Sequence, residues 1–429
     1  MKMVKSLLLG TAAGLVAVAG AQAADLPVKA KPVQYVKICS LYGAGFYYMP
    51  GTDTCIKVGG FVRAEVNFNA GGSFAPSFAN YDARTYSNNN WRSRGGITAD
   101  ARSQTAYGTL RAYAYLAATS DNSGAPGGTS ASAYTRLYAP AAFIQFAGFT
   151  MGKTGSFFDF DGQPYSNQSN VWSSNNGGNG VEVWAYTAQF GNGLSASLSI
   201  ENPNGHRLGV TGLGATYGAQ VYPDIVGNLR IDQAWGSAQV MAAYHQVTYS
   251  AGPSDEGGYA LGAGVKVNLP MLGKGDYIVG QFTYGNGAMD YVGSGLGNAQ
   301  TSVHGGTTSF GPGWDSVLTT ATSADLTKGW SITGGLEHNW VPGWKTSLYG
   351  AYGKLDYSDA AGVALGGAGQ SADWSYWQVG SRTVWTPVTN LDLSVEVMYN
   401  SEQTAFTAAG VGDTSWWSGI VRAQRNFYP

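Results

Sequence analysis

The sequence predicts an all-β protein: a 16-stranded antiparallel transmembrane β-barrel with long external loops. Three observations carry the fold class. Apolar and polar residues alternate with period two over most of the chain, the connections alternate between long and short, and the N-terminus carries an export signal. The composition agrees. Charged residues are 12%, about half the share of roughly 25% usual in soluble domains, and there are 63 glycines, 27 tyrosines and 13 tryptophans. Such a chain fits a turn-rich sheet with aromatic belts better than a cytosolic enzyme.

In chain order, Lys2 and Lys5 precede an apolar run from Leu7 to Gly20, and Ala21-Gln22-Ala23 supplies a small-x-small cleavage site. Residues 1–23 therefore read as a secretory signal peptide. No later stretch has 18 or more apolar residues, so no helix is expected to span a membrane. Loss of Lys2 and Lys5 takes the formal charge from −2 to −4, which points to no nucleic-acid or other polyanionic partner. Residues 24–57 form an N-terminal segment holding Cys39 and Cys55, the only cysteines. An even pair in an exported chain reads as one disulfide, closing a loop of about 15 residues and worth ~3 kcal/mol. A metal or redox pair is disfavoured by the spacing and by the lack of a nearby histidine.

The barrel is expected over 58–429. In Leu391–Asn400 one face carries Leu391, Leu393, Val395, Val397 and Tyr399, and the other Asp392, Ser394, Glu396, Met398 and Asn400. The same split sets Ile97, Ala99 and Ala101 against Thr98, Asp100 and Arg102. It also sets Leu110, Ala112, Ala114 and Leu116 against Thr109, Arg111, Tyr113 and Tyr115. Sixteen strands are predicted at 58–68, 93–102, 107–118, 133–139, 142–152, 181–190, 194–202, 226–234, 237–249, 258–268, 276–286, 328–340, 344–357, 373–385, 391–403 and 415–428. Short turns such as Gly191-Asn192-Gly193 and Val341-Pro342-Gly343 alternate with long connections at 69–92, 153–180, 203–225 and 287–327. A soluble sandwich has no reason to sort its loops by length, whereas an outer-membrane barrel does. Aromatics near strand ends (Trp330, Trp340, Trp344, Tyr349, Trp374, Trp377, Trp416 and Trp417) are expected in interfacial girdles.

One stretch suggests different chemistry. AGFTMGKTGSFFDFDG, residues 147–162, approximates a phosphate-binding loop, with Ala147 in place of the first glycine and then Gly152, Lys153 and Thr154. Such a loop needs a strand before it and a helix after it. Here only Gly155, Gly162, Pro164 and an Asn/Ser-rich run follow, so the stretch reads as the end of the fifth strand and the start of a loop. Asp159 and Asp161 are too few for a calcium site, which wants six to eight oxygens.

Several segments together resemble the alphaproteobacterial general porin family. They are Ala24-Asp25-Leu26-Pro27-Val28-Lys29-Ala30, the segment CSLYGAGFYYMPGTDTC at 39–55 with Ile56-Lys57-Val58-Gly59-Gly60, FAGFTMGKTGSFFDF at 146–160, and Arg422-Ala423-Gln424-Arg425-Asn426-Phe427. The resemblance implies a trimeric, sixteen-stranded porin whose third loop folds into the lumen. It implies a bacterial outer-membrane setting among lipid and lipopolysaccharide, and passive passage of ions and small hydrophilic solutes. No cofactor is implied. A pore of that kind needs fixed charge at its waist. The basic candidates are Arg63, Arg94, Arg102, Arg111, Arg136 and Arg422, and the acidic ones Asp159 and Asp161 within the loop 153–180. Two other functions remain open at this point: a barrel adhesin or phage receptor using 287–327, and a barrel hydrolase. The four histidines His206, His245, His304 and His338 lie in no recognisable nucleophile motif.

Overall fold

The computed structural model describes residues 37–68, 89–121, 134–160, 163–167, 180–293, 303–304, 307–308, 311, 313–365, 371–406 and 411–427. The expected signal peptide and Asp161 lie outside the described residues, and the barrel belongs to the compact unit Cys39–Pro429. Sixteen strands close on themselves: β1 Cys55–Phe68, β2 Asn89–Thr105, β3 Gly108–Asp121, β4 Tyr134–Phe146, β5 Phe149–Thr154, β6 Val181–Gly191, β7 Leu194–Glu201 and β8 Asp224–Gln233. The second half runs β9 Gly236–Val247, β10 Glu256–Asn268, β11 Tyr277–Asn286, β12 Lys328–Val341, β13 Trp344–Asp356, β14 Trp374–Val388, β15 Leu391–Thr404 and β16 Thr414–Phe427. Each pairs antiparallel with its neighbour in sequence, and β1 seals against β16 from Gly60↔Phe427 to Phe68↔Gly419. Closure leaves no unpaired edge, which lipid requires because it offers backbone groups no hydrogen bonds.

The alternation has the polarity of a membrane barrel. Val62, Ile97, Leu116, Leu198, Leu261 and Val395 are exposed on the outer face, while Glu65, Asn67, Thr119, Glu396 and Asn400 are buried on the inner one. Trp340, Trp344 and Trp417 stand on the outer face as the girdle reading expects. Tyr349, Trp374 and Trp416 do not: they are buried and turn inward. Trp416 and Trp417 illustrate the reason, since adjacent strand residues must point to opposite faces.

The strand count matches, but one hairpin is displaced. The sequence pattern predicts a turn at Pro140, whereas β4 runs through Pro140 to Phe146 and the turn is Ala147-Gly148. Pro140 sits where the β3–β4 register slips, between the pairs Ala117↔Tyr138 and Tyr115↔Ala141. A bulge tolerates a residue with no N–H to donate, so the proline bends the strand without ending it. Ala147 at φ 50° and Gly148 at φ 88° form a primed two-residue turn, as do Asn192 and Gly193. The first residue of the apparent phosphate loop is therefore a hairpin corner, and the described residues 155–160 directly after Thr154 form no helix.

Turns at the other strand ends include Ala106-Tyr107, Ala234-Trp235, Pro342-Gly343 and Thr389-Asn390, with the longer connections at the opposite end. The length contrast fails where 248–255 and 269–276 are equal. Cys39 is joined to Cys55, the first residue of β1, by a disulfide with a Cα–Cα distance of 6.0 Å, and Phe46 is buried beside them.

Candidate functional site: the lumen and its third loop

The third long connection, 155–180, enters the barrel with its described residues 155–160 and 163–167. Its first described stretch is held over β7 to β10. Phe157 N donates to Glu201 Oε1 at 2.9 Å, and Asn228 Nδ2 donates to Phe157 O at 2.6 Å. Gln239 Nε2 reaches Asp159 O at 3.2 Å. The Phe160 ring lies over Gly264, where a Cβ would come within 2.3 Å of it, so only glycine leaves the ring its seat. Tyr165 lies over Gly335 in the same way and packs on Tyr349 at 5.7 Å.

The far part of the loop lands on β14 to β16. Arg382 Nη2 donates to Pro164 O at 2.6 Å. Glu396 accepts from Asn167 N at 2.6 Å and from Ser166 Oγ and Tyr349 OH. Arg422 donates to Asn167 O at 2.7 Å and to Asn167 Oδ1 at 2.9 Å. The described loop thus follows the inner wall from β7 to β16, pinned at both ends by charge-assisted hydrogen bonds.

Much of the remaining lumen on that side is filled. Phe158 and Tyr165 of the third loop, Leu208, Met289, Tyr291, Val317, Tyr357 and Ala361 of other external loops, and inward-facing Trp374, Tyr376 and Met398 make one apolar cluster. Polar groups stitch these loops together. Asp315 accepts from Leu208 N at 2.8 Å, Met289 N at 2.7 Å and Tyr217 OH at 2.7 Å. His206 sits between Asp290 at 3.0 Å and Glu201 at 3.3 Å, with Tyr291 stacked on it at 4.2 Å. Burial opposes a charge on His206, but its hydrogen bonds to Asp290 and Glu201 outweigh that and hold its pKa up at about 10.

The inner wall of β1 to β4 is different, because its arginine side chains keep partial access to water while its carboxylates are buried. Cross-strand register sorts the charged ones by level. One level reads Arg422, Glu65, Arg92, Asp121. Here Glu65 pairs with both Arg92 and Arg422. The next level toward the short-turn end reads Gln424, Arg63, Arg94, Thr119, Arg136. Arg102 and Arg111, expected beside Arg94, lie eight residues further along β2, ~26 Å away at the usual strand rise. There they share Asp100, Arg102 Nη2 at 2.7 Å and Arg111 Nη2 at 2.9 Å. Arg102 also stacks on Tyr42 and Phe46 of the disulfide segment.

The structure therefore brings Arg63, Arg94 and Arg136 together, sets Arg102 and Arg111 apart, and uses Arg422 to hold the loop. Asp159 lies on the loop near β9, nearly half the circumference from β2. Sequence reasoning missed Arg92, Glu65, Arg382 and Glu396. All lie on polar faces of alternating strands, but only register tells which neighbours they meet.

A closed sixteen-stranded barrel with an apolar outer belt, a charged inner wall and a long loop laid across its lumen has the architecture of the outer-membrane porins. The chain belongs to the porin subfamily, Porin_2, whose family model matches residues 25–426. It is 35% identical over 251 residues to porin Omp2b of Brucella abortus (strain 2308), covering 57% of this chain and 66% of that protein, just under two thirds of its length. Porin Omp2b of Brucella suis biovar 1 matches equally well, at 35% over 252 residues. Among solved structures, the outer membrane channel DcaP of Acinetobacter baumannii aligns with a TM-score of 0.66 at 15% identity, over 89% of this chain and 99% of that one. A Salmonella typhi OmpF complex with daunomycin aligns at 0.52 and 13%, over 87% and 98%. These two structures share the fold.

Proposed function

We propose that the protein is a general diffusion porin: a trimeric, water-filled channel for passive passage of ions and small hydrophilic solutes across the bacterial outer membrane. The observation that carries this reading is the third loop, seated on the inner wall at both ends opposite a water-accessible row of arginines. Such a loop narrows a lumen that would otherwise be wide, and charge at a narrow aqueous waist sorts solutes by size and sign. In this reading Asp159 and Asp161 supply acidic groups on the loop, and Arg63, Arg94 and Arg136 the facing wall. Arg102 and Arg111 line the short-turn mouth, and Arg422 positions the loop.

Trimer formation is supported by the outer face across the β1–β16 seam. Small residues Ala64, Ser93 and Ala423 there form a groove edged by Trp91, Trp344 and Trp385. That shape suits close approach of a second subunit. The adhesin reading loses ground because the described part of 287–327 is folded into the mouth, with Met289, Tyr291, Asp315 and Val317 buried. A hydrolase has little to build on. His338 pairs with Asp276, but the hydroxyl of nearby Thr346 is engaged by Trp340 and Thr383.

Planar-bilayer recording of the purified protein tests the proposal. Stepwise openings, closing in three levels, are expected; folded protein that gives no steps refutes the channel.

A further inference from the structure

We propose that Arg63, Arg94 and Arg136 form an oxyanion-binding ledge that makes the channel anion-selective and gives doubly charged carboxylates or phosphates a binding step on their way through. The proposal rests on the porin reading and deepens it by naming the solute class.

The register is the first ground. Arg63 lies directly opposite Arg94, and Arg136 lies opposite Thr119, which is opposite Arg94. Three guanidinium groups thus start from one level across four adjacent strands, ~15 Å at the usual strand spacing. Like charges directly opposite each other on a sheet are destabilising. Stability gives no reason for this row.

The distribution of counter-charge is the second ground. The level above is balanced, with Glu65 and Asp121 set among Arg92 and Arg422. The ledge itself contains no carboxylate. Arg63 gives its Nε to Gln424 Oε1 at 2.7 Å and reaches only the edge of Glu65, at 3.9 Å. Arg136 pairs with Asp121 at 3.0 Å. Arg94 donates Nε to Thr119 Oγ1 at 2.8 Å and lies over the Tyr138 ring at 5.6 Å; among the described residues it has no ion-pair partner. Exposure reinforces the imbalance. The side chains of Arg136 and Arg63 are 65% and 18% exposed, those of Asp121 and Glu65 2% and 0%. A passing solute meets guanidinium edges, with the carboxylates behind them.

The surroundings are the third ground. The opposite side of the lumen carries the apolar cluster of the loops, and low-dielectric walls concentrate the field of charges in a narrow aqueous path. A guanidinium is a planar fork that matches carboxylate and phosphate oxygens two at a time. Adjacent forks on Arg63 and Arg94 can engage two charges of one solute. Water access keeps such binding weak enough for release, as conduction requires.

The test is zero-current potential in a tenfold KCl gradient across a planar bilayer, followed by addition of inorganic phosphate or, in a separate arm, succinate. Wild type is expected to take the chloride sign, and either oxyanion is expected to reduce chloride current in a saturating way. At ~7 Å in water one charge changes local ion concentration about threefold. The double variant Arg63→Gln, Arg94→Gln should therefore lower the anion-to-cation ratio at least threefold and lose the oxyanion block. The variant Arg102→Gln, Arg111→Gln should keep the block. Heat-dependent gel mobility checks that each variant has folded. A wild-type potential of the potassium sign overturns the ledge while leaving the channel intact, as does equal block of wild type and the Arg63/Arg94 variant. Absence of any conductance steps overturns the channel itself.

Discussion

Replacing Glu396 by glutamine should unseat the third loop while leaving the barrel closed. The wild-type carboxylate accepts hydrogen bonds from Asn167 N and Ser166 Oγ on the loop and from Tyr349 OH on the wall. An amide at that position has one accepting oxygen, no charge, and an NH2 group pointed at donors. Hydrogen bonds to a charged acceptor contribute about 1.5–3 kcal/mol each. Losing both loop contacts therefore weakens the seat by about 3–6 kcal/mol, against which Arg382 and Arg422 still hold Pro164 and Asn167. A loss of ~3 kcal/mol makes undocking about a hundredfold more frequent. In single-channel records this should appear as raised open-channel noise with excursions to higher conductance. In liposome swelling, larger oligosaccharides should enter. The barrel wall is unchanged by the substitution, so heat-dependent gel mobility should be retained. A folded variant with wild-type noise and the wild-type size limit would refute the idea that this landing site sets the passage.

Other parts of the molecule carry further expectations. Gly264→Val places a Cβ within 2.3 Å of the Phe160 ring, an overpacking cost of about 1–3 kcal/mol that the loop can relieve only by moving inward; conductance should fall. His206 has a folded-state pKa of about 10, above its ordinary 6.5. Its charge therefore stabilises the loop cluster fully below pH 6.5, and that contribution is lost as pH rises through 10. Protease nicking around 202–210 should rise over that window and be pH-independent in His206→Gln; flat wild-type nicking would count against the assignment. Replacing Cys39 and Cys55 by serine removes a cross-link worth ~3 kcal/mol and should expose 39–54 to proteolysis without abolishing the barrel. Unchanged protection would show that packing of Phe46 suffices.

The barrel was legible because period-two alternation is a local signal, repeated strand after strand, and loop sorting added the membrane. Local signals also set the limits. Pro140 reads as a strand breaker until the β3–β4 bulge shows that its missing N–H is tolerated, and Ala147 gives no hint of a left-handed corner normally held by glycine or asparagine. Tyr349, Trp374 and Trp416 look like girdle residues because aromatics near strand ends usually are, yet each belongs to the inward face. The third loop could be placed by its order in the chain, but its landing on Arg382, Glu396 and Arg422 joins residues more than 200 positions apart. Which arginines share a level depends on how far each strand slides past the next. That offset is set by turns and bulges, and residue type does not reveal it.

The landing site of the third loop has a consequence for assembly. Its residues lie on β14, β15 and β16, the last strands to emerge from synthesis, and Arg422 is itself held by Glu65 on the first strand. The loop cannot take its full seat until β16 has been made and has met β1. Setting the aperture and sealing the wall thereby become a single late event. A half-built barrel lacks its narrow waist, and a seated loop certifies that the ring is whole.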